Sequence, residues 1–284
     1  MGLLAKYEAN RETAWCPGCG NFPLRQALAN ALADLGLSPE QVTMFTGIGQ
    51  AAKMVHYIRV NGFNGLHGRA LPAAIGMVVA NPEMKVIVES GDGDNYGEGG
   101  NHLLHNIRRN PDLTHLVHNN QIYGLTKGQA SPTTGFEIKT AVQPEGVTSE
   151  PFNPIPFAVA MRASFVARGF VGEREHLQEL IKAAIMHKGY ALIDILQPCV
   201  TFNRVNTYQW YKERVYKLGD DYDPTDYMAA MEKANEWGHR IPIGIIYKEE
   251  KKTFRERLAI ADEGPLVGRN INPAEYSFLL DEFR

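Results

Sequence analysis

The sequence predicts an α/β fold in which a mostly parallel sheet carries helices on both faces and is followed by a C-terminal tail. An apolar run that starts at Lys85 ends in the glycine-rich segment 91–94, and a second run ends at the amide pair Asn119 and Asn120. A helical segment lies between the two runs, so together they have the pattern of a β-α-β unit. Ligands bind at the carboxyl ends of strands in open α/β sheets, so we expect a site where these two runs end.

Oxygen donors follow both predicted strands. Asp92 offers a carboxylate, Asn120 a side-chain carbonyl and Ile122 a backbone carbonyl. These donors suit a Mg²⁺ ion that also holds a diphosphate, because Mg²⁺ takes hard oxygen ligands and few of them from protein when phosphates are present. Gly91 and Gly93 are expected to let the backbone approach the phosphate and adopt a positive φ. The arrangement resembles the thiamine diphosphate motif and favours a cofactor site over an ordinary glycine turn beside an Asn-rich loop.

Composition limits the class of protein. The chain has 284 residues, of which 44% are hydrophobic and 21% charged, enough for a sizeable core in one large or two small domains. A net charge of −3 without a basic block argues against nucleic acid as a partner. No apolar run approaches the ~18 residues of a membrane span, and the N-terminus lacks the apolar core of a signal peptide. Three cysteines are too few for a disulfide framework and suit a reducing compartment, so we expect a cytoplasmic protein.

The N-terminal region contains a Cys-x-x-Cys turn formed by Cys16 and Cys19. Such a turn aims two sulfurs at one point and serves zinc, iron–sulfur clusters or redox disulfides, and one pair alone does not choose between them. A strand predicted over residues 42–45 then ends in a second glycine-rich turn, residues 46–50. Lys53 follows this turn, and its spacing alone favours a solvated lysine.

A histidine precedes the next predicted helix. Residues 66–72 open a helix of small residues, 73–80, and His67 lies close to its N-terminus. Helix N-termini carry unpaired N–H donors, so His67 could help to bind an anion there. Taken alone, it is more commonly a structural histidine. The helix predicted over residues 98–109 then joins the two turns that carry oxygen donors.

The loop after the second oxygen-bearing strand contains Lys127, which could meet a substrate carboxylate, because loops at this edge of a sheet often carry function. Beyond an irregular stretch, the pattern predicts a helix over residues 157–168, a short strand at 170–171, a helix over 175–187, and a strand over 191–196 that is followed by Cys199.

The character of the chain changes after residue 205, where aromatic residues become interleaved with charge. We therefore divide the chain into an α/β domain, residues 1–205, and a C-terminal extension, residues 206–284. An aromatic, amphipathic extension is typical of a surface that docks a partner chain. An extension that packs only on its own domain is an equal alternative.

Taken together, the motifs resemble one family over nearly the whole chain and in order. They occupy residues 16–20, 46–49, 66–72, 91–94, 99–102, 119–129, 131–133 and 198–203. On these segments the sequence resembles the β subunit of 2-oxoacid:ferredoxin oxidoreductases, and most of all the 2-oxoglutarate or broad 2-oxoacid branch.

The resemblance implies the thiamine diphosphate-binding fold and an assembly with an α subunit, as αβ or α2β2. The pair would convert a 2-oxoacid, most simply 2-oxoglutarate, and coenzyme A to acyl-CoA and CO₂ while reducing ferredoxin, or run the reverse reaction. The glutamate that activates the cofactor is expected from the α subunit.

The resemblance also implies roles for individual residues. The implied cofactor-binding residues are Ile48, Gly49, His67, Gly91, Asp92, Gly93, Asp94, Asn120, Ile122, Gly124, Leu125 and Thr126. The implied Mg²⁺ ligands are Asp92, Asn120 and Ile122, the implied ligands of a [4Fe–4S] cluster are Cys16, Cys19 and Cys199, and the implied catalytic residues are Lys53, His67 and Lys127.

Two departures from the family pattern matter. Gln50 stands where many members have a cysteine as the fourth cluster ligand, and His118 replaces a residue that is usually apolar. Three outcomes are therefore possible: a four-iron cluster with a non-cysteine fourth ligand, a three-iron cluster, or no cluster. We expect the first. Two other functions stay open: a subunit of a non-oxidative thiamine-dependent 2-oxoacid decarboxylase, and a non-enzymatic iron–sulfur or zinc scaffold for electron transfer.

Overall fold

The computed structural model describes residues 2–259, 264–270 and 272–283. The strands in this part of the chain are β1 (Val42–Thr46), β2 (Asn61–Asn64), β3 (Lys85–Gly91), β4 (Leu113–Asn119), β5 (Phe165–Phe170), β6 (Tyr190–Leu196), β7 (Val215–Lys217) and β8 (Ile241–Lys248). They form one sheet in the order β2-β1-β3-β4-β6-β5-β8-β7. Neighbouring strands are parallel except for β5 and β8, so the predicted, mostly parallel sheet is confirmed.

The α-helices of the described residues are α1 (Leu3–Lys6), α2 (Asn21–Asp34), α3 (Met54–Tyr57), α4 (Ala70–Ala80), α5 (Gly100–Arg109), α6 (Pro154–Ala160), α7 (Arg174–Met186), α8 (Tyr208–Lys212), α9 (Tyr227–Asn235) and α10 (Phe278–Asp281). The predicted β-α-β unit is the run β3, α5, β4. No helix in the described ranges has the length and apolar character needed to cross a membrane.

Helices cover both faces of the sheet. α2 and α7 pack on one face, in a core that contains Ile87 of β3. α4, α5, α6 and α9 pack on the other, in a core that contains Val86 and Val88 of the same strand. Successive strand residues point to opposite faces, and both faces are buried, so the apolar residues of β3, Val86, Ile87 and Val88, follow one another without alternation. This arrangement confirms the predicted fold class.

The helix predicted over residues 157–168 was wrong, because α6 ends and β5 begins within that span. Arg162 takes a left-handed conformation with φ of 55°, and the Ala163 N–H donates back to the Ala158 carbonyl at 2.9 Å. This geometry closes a helix C-terminus. Glycine usually marks such a stop, and the sequence has none there, so the end of the helix was not visible in the pattern.

The predicted C-terminal extension contributes two strands to the sheet. β8 pairs with β5 and, on its other side, with β7. Tyr211, Ile241 and Ile246, all beyond residue 205, are fully buried in the two cores. The boundary between residues 205 and 206 stays a prediction, and residues 260–263, 271 and 284 of the extension lie outside the described residues.

Candidate functional site

A cavity of about 100 Å³ lies at the carboxyl edge of the sheet, beside the ends of β1, β3 and β4. Strands that run parallel bring the segments after their carboxyl ends to one edge, which is why residues distant in sequence meet here. The cavity is lined by every residue that the resemblance implied in cofactor binding: Ile48, Gly49, His67, Gly91, Asp92, Gly93, Asp94, Asn120, Ile122, Gly124, Leu125 and Thr126.

Asp92 is held by two hydroxyl groups at the end of β3. Ser131 Oγ donates to Asp92 Oδ2 at 2.5 Å, and Thr133 Oγ1 lies 2.6 Å from the same oxygen. Both hydroxyls come from the segment after β4, which folds back over the edge of the sheet. Both hydroxyls thus engage the same oxygen of the carboxylate, Oδ2, and both are neutral donors.

The charge of Asp92 is poorly compensated by the protein. The residue is 1% exposed, and among the described residues no cationic side chain forms an ion pair with it. Burial therefore raises the pKa of Asp92, while the hydrogen bonds from Ser131 and Thr133 act in the opposite direction. A buried carboxylate in this state is stabilised by a cation, so its donor chemistry fits a divalent metal.

The two amides at the end of β4 face different sides. Asn119 turns inward, where its Nδ2 donates to the buried Asp194 at 3.1 Å. Asn120 lines the cavity, and its Oδ1 accepts the Ile122 N–H at 3.0 Å. Asn120 Oδ1 keeps a second lone pair, because an amide oxygen has two. Only the second amide of the pair is thus available to a ligand in the cavity.

Asp94 connects three segments around the cavity. Its Oδ1 accepts the Ile48 N–H at 3.0 Å and the Gly68 N–H at 2.8 Å, and it lies 2.8 Å from His67 Nδ1. A Cβ at Gly47 would lie 2.0 Å from the carboxylate, so only glycine fits there. Asp94 therefore positions the turn after β1 and the histidine before α4.

Positive φ at Gly91 and Gly93 was a wrong prediction, because neither residue has it. β3 passes directly into a π-helical turn, Gly93–Glu98, so the chain makes no reversal that needs a left-handed residue. The left-handed glycine of the cavity is Gly49, with φ of 119°. Gly93 is required for a different reason: a Cβ there would lie 2.2 Å from the ring of Tyr123, whose hydroxyl donates to the Gly93 carbonyl at 3.1 Å.

The two lysines predicted to meet substrate do not line this cavity. Lys53 ends a short 3-10 helix and is half-buried. Lys127 is exposed and left-handed, with φ of 73°, and directly follows the cavity residue Thr126. The structure therefore brings His67 to the cavity and leaves both lysines outside it.

A second, smaller cavity lies next to the first and contains the cysteines. Cys16, Cys19 and Cys199 line it together with Gln50. Burial, with a smaller contribution from the two neighbouring thiols, raises the pKa of Cys19 to about 11. Within the described ranges, no three or more His, Cys, Asp and Glu side chains are arranged so that they could hold a single metal ion. The three thiols nevertheless face one space, so their donor chemistry fits three corners of an iron–sulfur cluster.

Several buried polar residues near the site were not assigned from sequence. Ser131 and Thr133 lay in a recognised motif, but their contact with Asp92 depends on how an irregular loop folds back. His118 lies fully buried against Glu89, and its Nδ1 is 2.8 Å from Asn21 Oδ1. Burial raises the pKa of Glu89. Two neighbouring buried strands, one with a glutamate and the other with a histidine near its carboxyl end, are the sequence pattern that could have indicated this pair.

Comparison with known proteins gives two family matches. Residues 41–195 match the family described as "Thiamine pyrophosphate enzyme, C-terminal TPP binding domain". Residues 199–263 match the family that comprises the C-terminal region of the pyruvate ferredoxin oxidoreductase beta subunit. The first match spans more than half of the chain and contains all the residues that line the larger cavity. The three cysteines of the smaller cavity lie outside it.

Full-length relatives agree with these matches. The chain is 48% identical to the 2-oxoacid:ferredoxin oxidoreductase subunit beta of Saccharolobus solfataricus over 259 residues, which cover 86% of this chain and 85% of that one. It is 32% identical to the 2-oxoglutarate synthase subunit KorB of Archaeoglobus fulgidus, over 87% of this chain and 88% of that one. Among solved structures, the 2-oxoglutarate:ferredoxin oxidoreductase of Magnetococcus marinus, with 2-oxoglutarate, coenzyme A and succinyl-CoA bound, matches with a TM-score of 0.91 and 36% identity, over 98% of this chain and 95% of that one.

Proposed function

Since this chain belongs to the family of thiamine diphosphate-dependent 2-oxoacid:ferredoxin oxidoreductase β subunits, we propose that it binds the cofactor with Mg²⁺ at the cavity beside β1, β3 and β4. With an α subunit it would carry out the coenzyme A-dependent oxidative decarboxylation of 2-oxoglutarate, or the reverse carboxylation. Electrons would pass through an iron–sulfur cluster to ferredoxin. The observation that carries this proposal is the meeting of all the implied cofactor-binding residues around one cavity.

The proposed Mg²⁺ ligands are Asp92, Asn120 and the backbone carbonyl of Ile122. All three supply hard oxygen atoms, which Mg²⁺ prefers, and the remaining positions suit the cofactor's phosphates and water. Asp92 Oδ1, which neither hydroxyl engages, is the oxygen that we assign to the metal. The lack of a cationic side chain beside this buried carboxylate, among the residues that the structure describes, supports the assignment, since a divalent ion would compensate its charge.

Thiamine diphosphate, when bound, supplies the carbon nucleophile that a 2-oxoacid needs for loss of CO₂. The residues of this chain bind and orient it. Gly49, with its left-handed backbone, and Gly91, which has open space where a Cβ would stand, allow the chain to pass close to the phosphates. His67, held beside Asp94 at the mouth of the cavity, is proposed to contact the cofactor or the substrate and to hold a proton at its free ring nitrogen.

The size of the cavity supports a shared site. Small-molecule pockets usually measure about 300–1,000 Å³, whereas this cavity measures about 100 Å³. The chain therefore encloses only part of a cofactor as large as thiamine diphosphate, and we assign the remaining walls, with the activating glutamate, to the α subunit. Exposed apolar side chains of the C-terminal extension, among them Phe278, Leu280 and Phe283, are proposed to dock that partner.

Lys127 and Lys53 are proposed to bind carboxylates of the substrate. Lys127 follows Thr126 of the cavity wall and is free to move, because its side chain is exposed. A lysine that pairs with the distal carboxylate would favour 2-oxoglutarate over pyruvate. The names of the relatives from A. fulgidus and M. marinus support the same substrate.

The proposal is tested by co-expressing the chain with its α subunit without oxygen and measuring ferredoxin reduction. We expect reduction to require both subunits, coenzyme A and a 2-oxoacid, with 2-oxoglutarate faster than pyruvate. Release of CO₂ and an aldehyde without ferredoxin reduction would instead indicate the non-oxidative decarboxylase. Release of neither CO₂ nor electrons from a complex that retains thiamine diphosphate would contradict both functions.

A further inference from the structure

Gln50 lies in the wall between the cofactor cavity and the cysteine cavity. It lines both of them, as do Asn120 and Gly124. Its Cγ lies 3.7 Å from the position that a Cβ on Gly124 would occupy, so the side chain runs beside the loop that follows β4. One glutamine side chain is therefore shared by the two cavities.

The backbone of Gln50 is held by the region of the Cys-x-x-Cys turn. Trp15 Nε1 donates to the Gln50 carbonyl at 3.0 Å, and Asn21 Nδ2 reaches the same oxygen at 3.5 Å. Trp15 directly precedes Cys16, and Asn21 follows Cys19 by two residues. These contacts fix the point from which the Gln50 side chain emerges relative to the first two thiols.

Asn21 also reaches the segment that carries the third cysteine. Gln197 Nε2 donates to Asn21 Oδ1 at 2.9 Å, and Gln197 lies two residues before Cys199. Asn21 is fully buried, so its hydrogen bonds are shielded from water. One buried amide thus ties together the three segments that carry the thiols and Gln50, and the fold holds them in place without a ligand.

The side-chain oxygen of Gln50 has no hydrogen-bond donor of its own. Among the described residues Gln50 Oε1 is buried and accepts no hydrogen bond. A buried amide oxygen without a partner costs free energy unless a ligand occupies its lone pairs. The adjoining cavity is lined by Cys16, Cys19 and Cys199. Three sulfur donors and the side chain that carries this unpaired oxygen therefore line the same space.

We propose that the amide oxygen of Gln50 is the fourth ligand of the iron–sulfur cluster, so that three irons bind thiolates and one iron binds oxygen. This inference rests on the proposed function, which assigns the cluster to the three cysteines. Thiolate is the usual ligand of cluster iron, and the oxygen-bound iron is consequently the first to be lost on oxidation. Gln50 also lines the cofactor cavity, so the side chain that would hold that iron stands in the wall between the two cavities.

The test compares the α–β complex, purified without oxygen, as wild type and as Gln50→Ala, Gln50→Glu and Gln50→Cys. Each is treated with one equivalent of ferricyanide, which takes one electron per cluster. A four-iron cluster then releases one Fe²⁺ and leaves an oxidised three-iron cluster. Iron and sulfide per β chain and the paramagnetic signal of the three-iron cluster are followed with time. Gln209→Ala, an exposed glutamine outside both cavities, is the matched control.

We expect iron to leave Gln50→Ala fastest, wild type and Gln209→Ala at one intermediate rate, and Gln50→Glu and Gln50→Cys more slowly. The rates of iron loss from Gln50→Ala and Gln50→Glu should differ by about tenfold or more. The carboxylate of glutamate has the same reach as the glutamine amide and is the stronger oxygen ligand. Equal rates in wild type and all three Gln50 variants would overturn the assignment of Gln50. A wild-type complex that retains thiamine diphosphate but never holds iron would overturn the cluster itself, and so the proposed route of electrons. Gln50→Glu keeps the volume of the side chain, and its melting temperature beside that of wild type reports that the complex is folded.

Discussion

Thr133 Oγ1 lies 2.6 Å from Asp92 Oδ2, although 41 residues separate the two side chains in sequence. The same hydroxyl is 3.0 Å from Asn119 Oδ1, so it joins the ends of β3 and β4. The carboxylate that we assign to Mg²⁺ is therefore oriented by a loop and not by its own strand alone. Replacing a residue that orients a metal ligand typically lowers metal affinity about tenfold to a hundredfold.

Replacing Thr133 by valine should weaken cofactor binding while the shape of the side chain is retained. The lost hydrogen bond to a charged group is worth roughly 1.5–3 kcal/mol, so the affinity for thiamine diphosphate with Mg²⁺ should fall about tenfold to a hundredfold. Calorimetric titration of the cofactor-depleted complex measures this. Thr140→Val, which alters a hydroxyl that hydrogen-bonds with Gln143 in its own loop, serves as control. An unchanged dissociation constant in Thr133→Val would show that this contact does not support the site.

Asp94 should matter for stability more than its small side chain suggests. In Asp94→Ala the N–H groups of Ile48 and Gly68 lose their acceptor. The Gly68 N–H is buried, and a buried donor left unsatisfied costs about 1–3 kcal/mol. Asp94→Asn keeps a carbonyl oxygen and should be destabilised less. Thermal unfolding of the two variants in parallel makes the comparison. Equal melting temperatures would mean that the two N–H groups find other partners.

His115 should make stability depend on pH. Burial lowers the pKa of His115 to about 3, whereas an unfolded histidine titrates at about 6.5. The unfolded chain thus takes up the proton first, and the contribution of His115, complete above pH 6.5, declines as the pH falls toward 3. Between pH 6.5 and 5 the loss is about 1.6 kcal/mol. His115→Gln does not titrate, so its melting temperature should fall less than that of wild type over this interval. If the melting temperatures of wild type and His115→Gln fall equally over this interval, the acid sensitivity belongs to other groups.

Lys127 should influence the choice of substrate. A charge-assisted contact with the distal carboxylate of 2-oxoglutarate is worth roughly 1.5–3 kcal/mol, so Lys127→Ala should reduce the ratio of kcat/KM for 2-oxoglutarate over pyruvate about tenfold to a hundredfold. Lys139→Ala, another exposed lysine of the region after β4, is the control. If the ratio is the same in both variants, Lys127 takes no part in substrate selection.

Much of the site was predictable because parallel strands impose it. Once residues 85–91 and 113–119 are recognised as neighbouring strands, Asp92 and Asn120 must meet at one edge. The hydroxyl clamp from Ser131 and Thr133 was not predictable, because it depends on the path of an irregular loop. Glycine requirements were recognised, but their cause at Gly93 is the ring of Tyr123 and not a positive φ.

The wrong helix prediction over the start of β5 has a physical explanation as well. Arg168 lies in its middle, fully buried, where an arginine is rare. Its guanidinium reaches the carbonyls of Pro242 and Ala234 at 3.3 Å and lies over the ring of Trp237. These partners come from the C-terminal extension. Local periodicity could not reveal them, and without them the segment has the pattern of an amphipathic helix.

The most direct test of the central claim is the cofactor content of the α–β complex with Asp92→Ala. Thiamine diphosphate and magnesium per β chain are measured after purification without oxygen, beside wild type and Asp220→Ala, an exposed aspartate that serves as control. Loss of the one anionic ligand in a site with few protein ligands should cost several kcal/mol. We therefore expect Asp92→Ala to fold and to assemble with the α subunit, but to lose nearly all of both cofactors. A folded Asp92→Ala complex with undiminished thiamine diphosphate and magnesium would contradict the assignment of this cavity as the cofactor site.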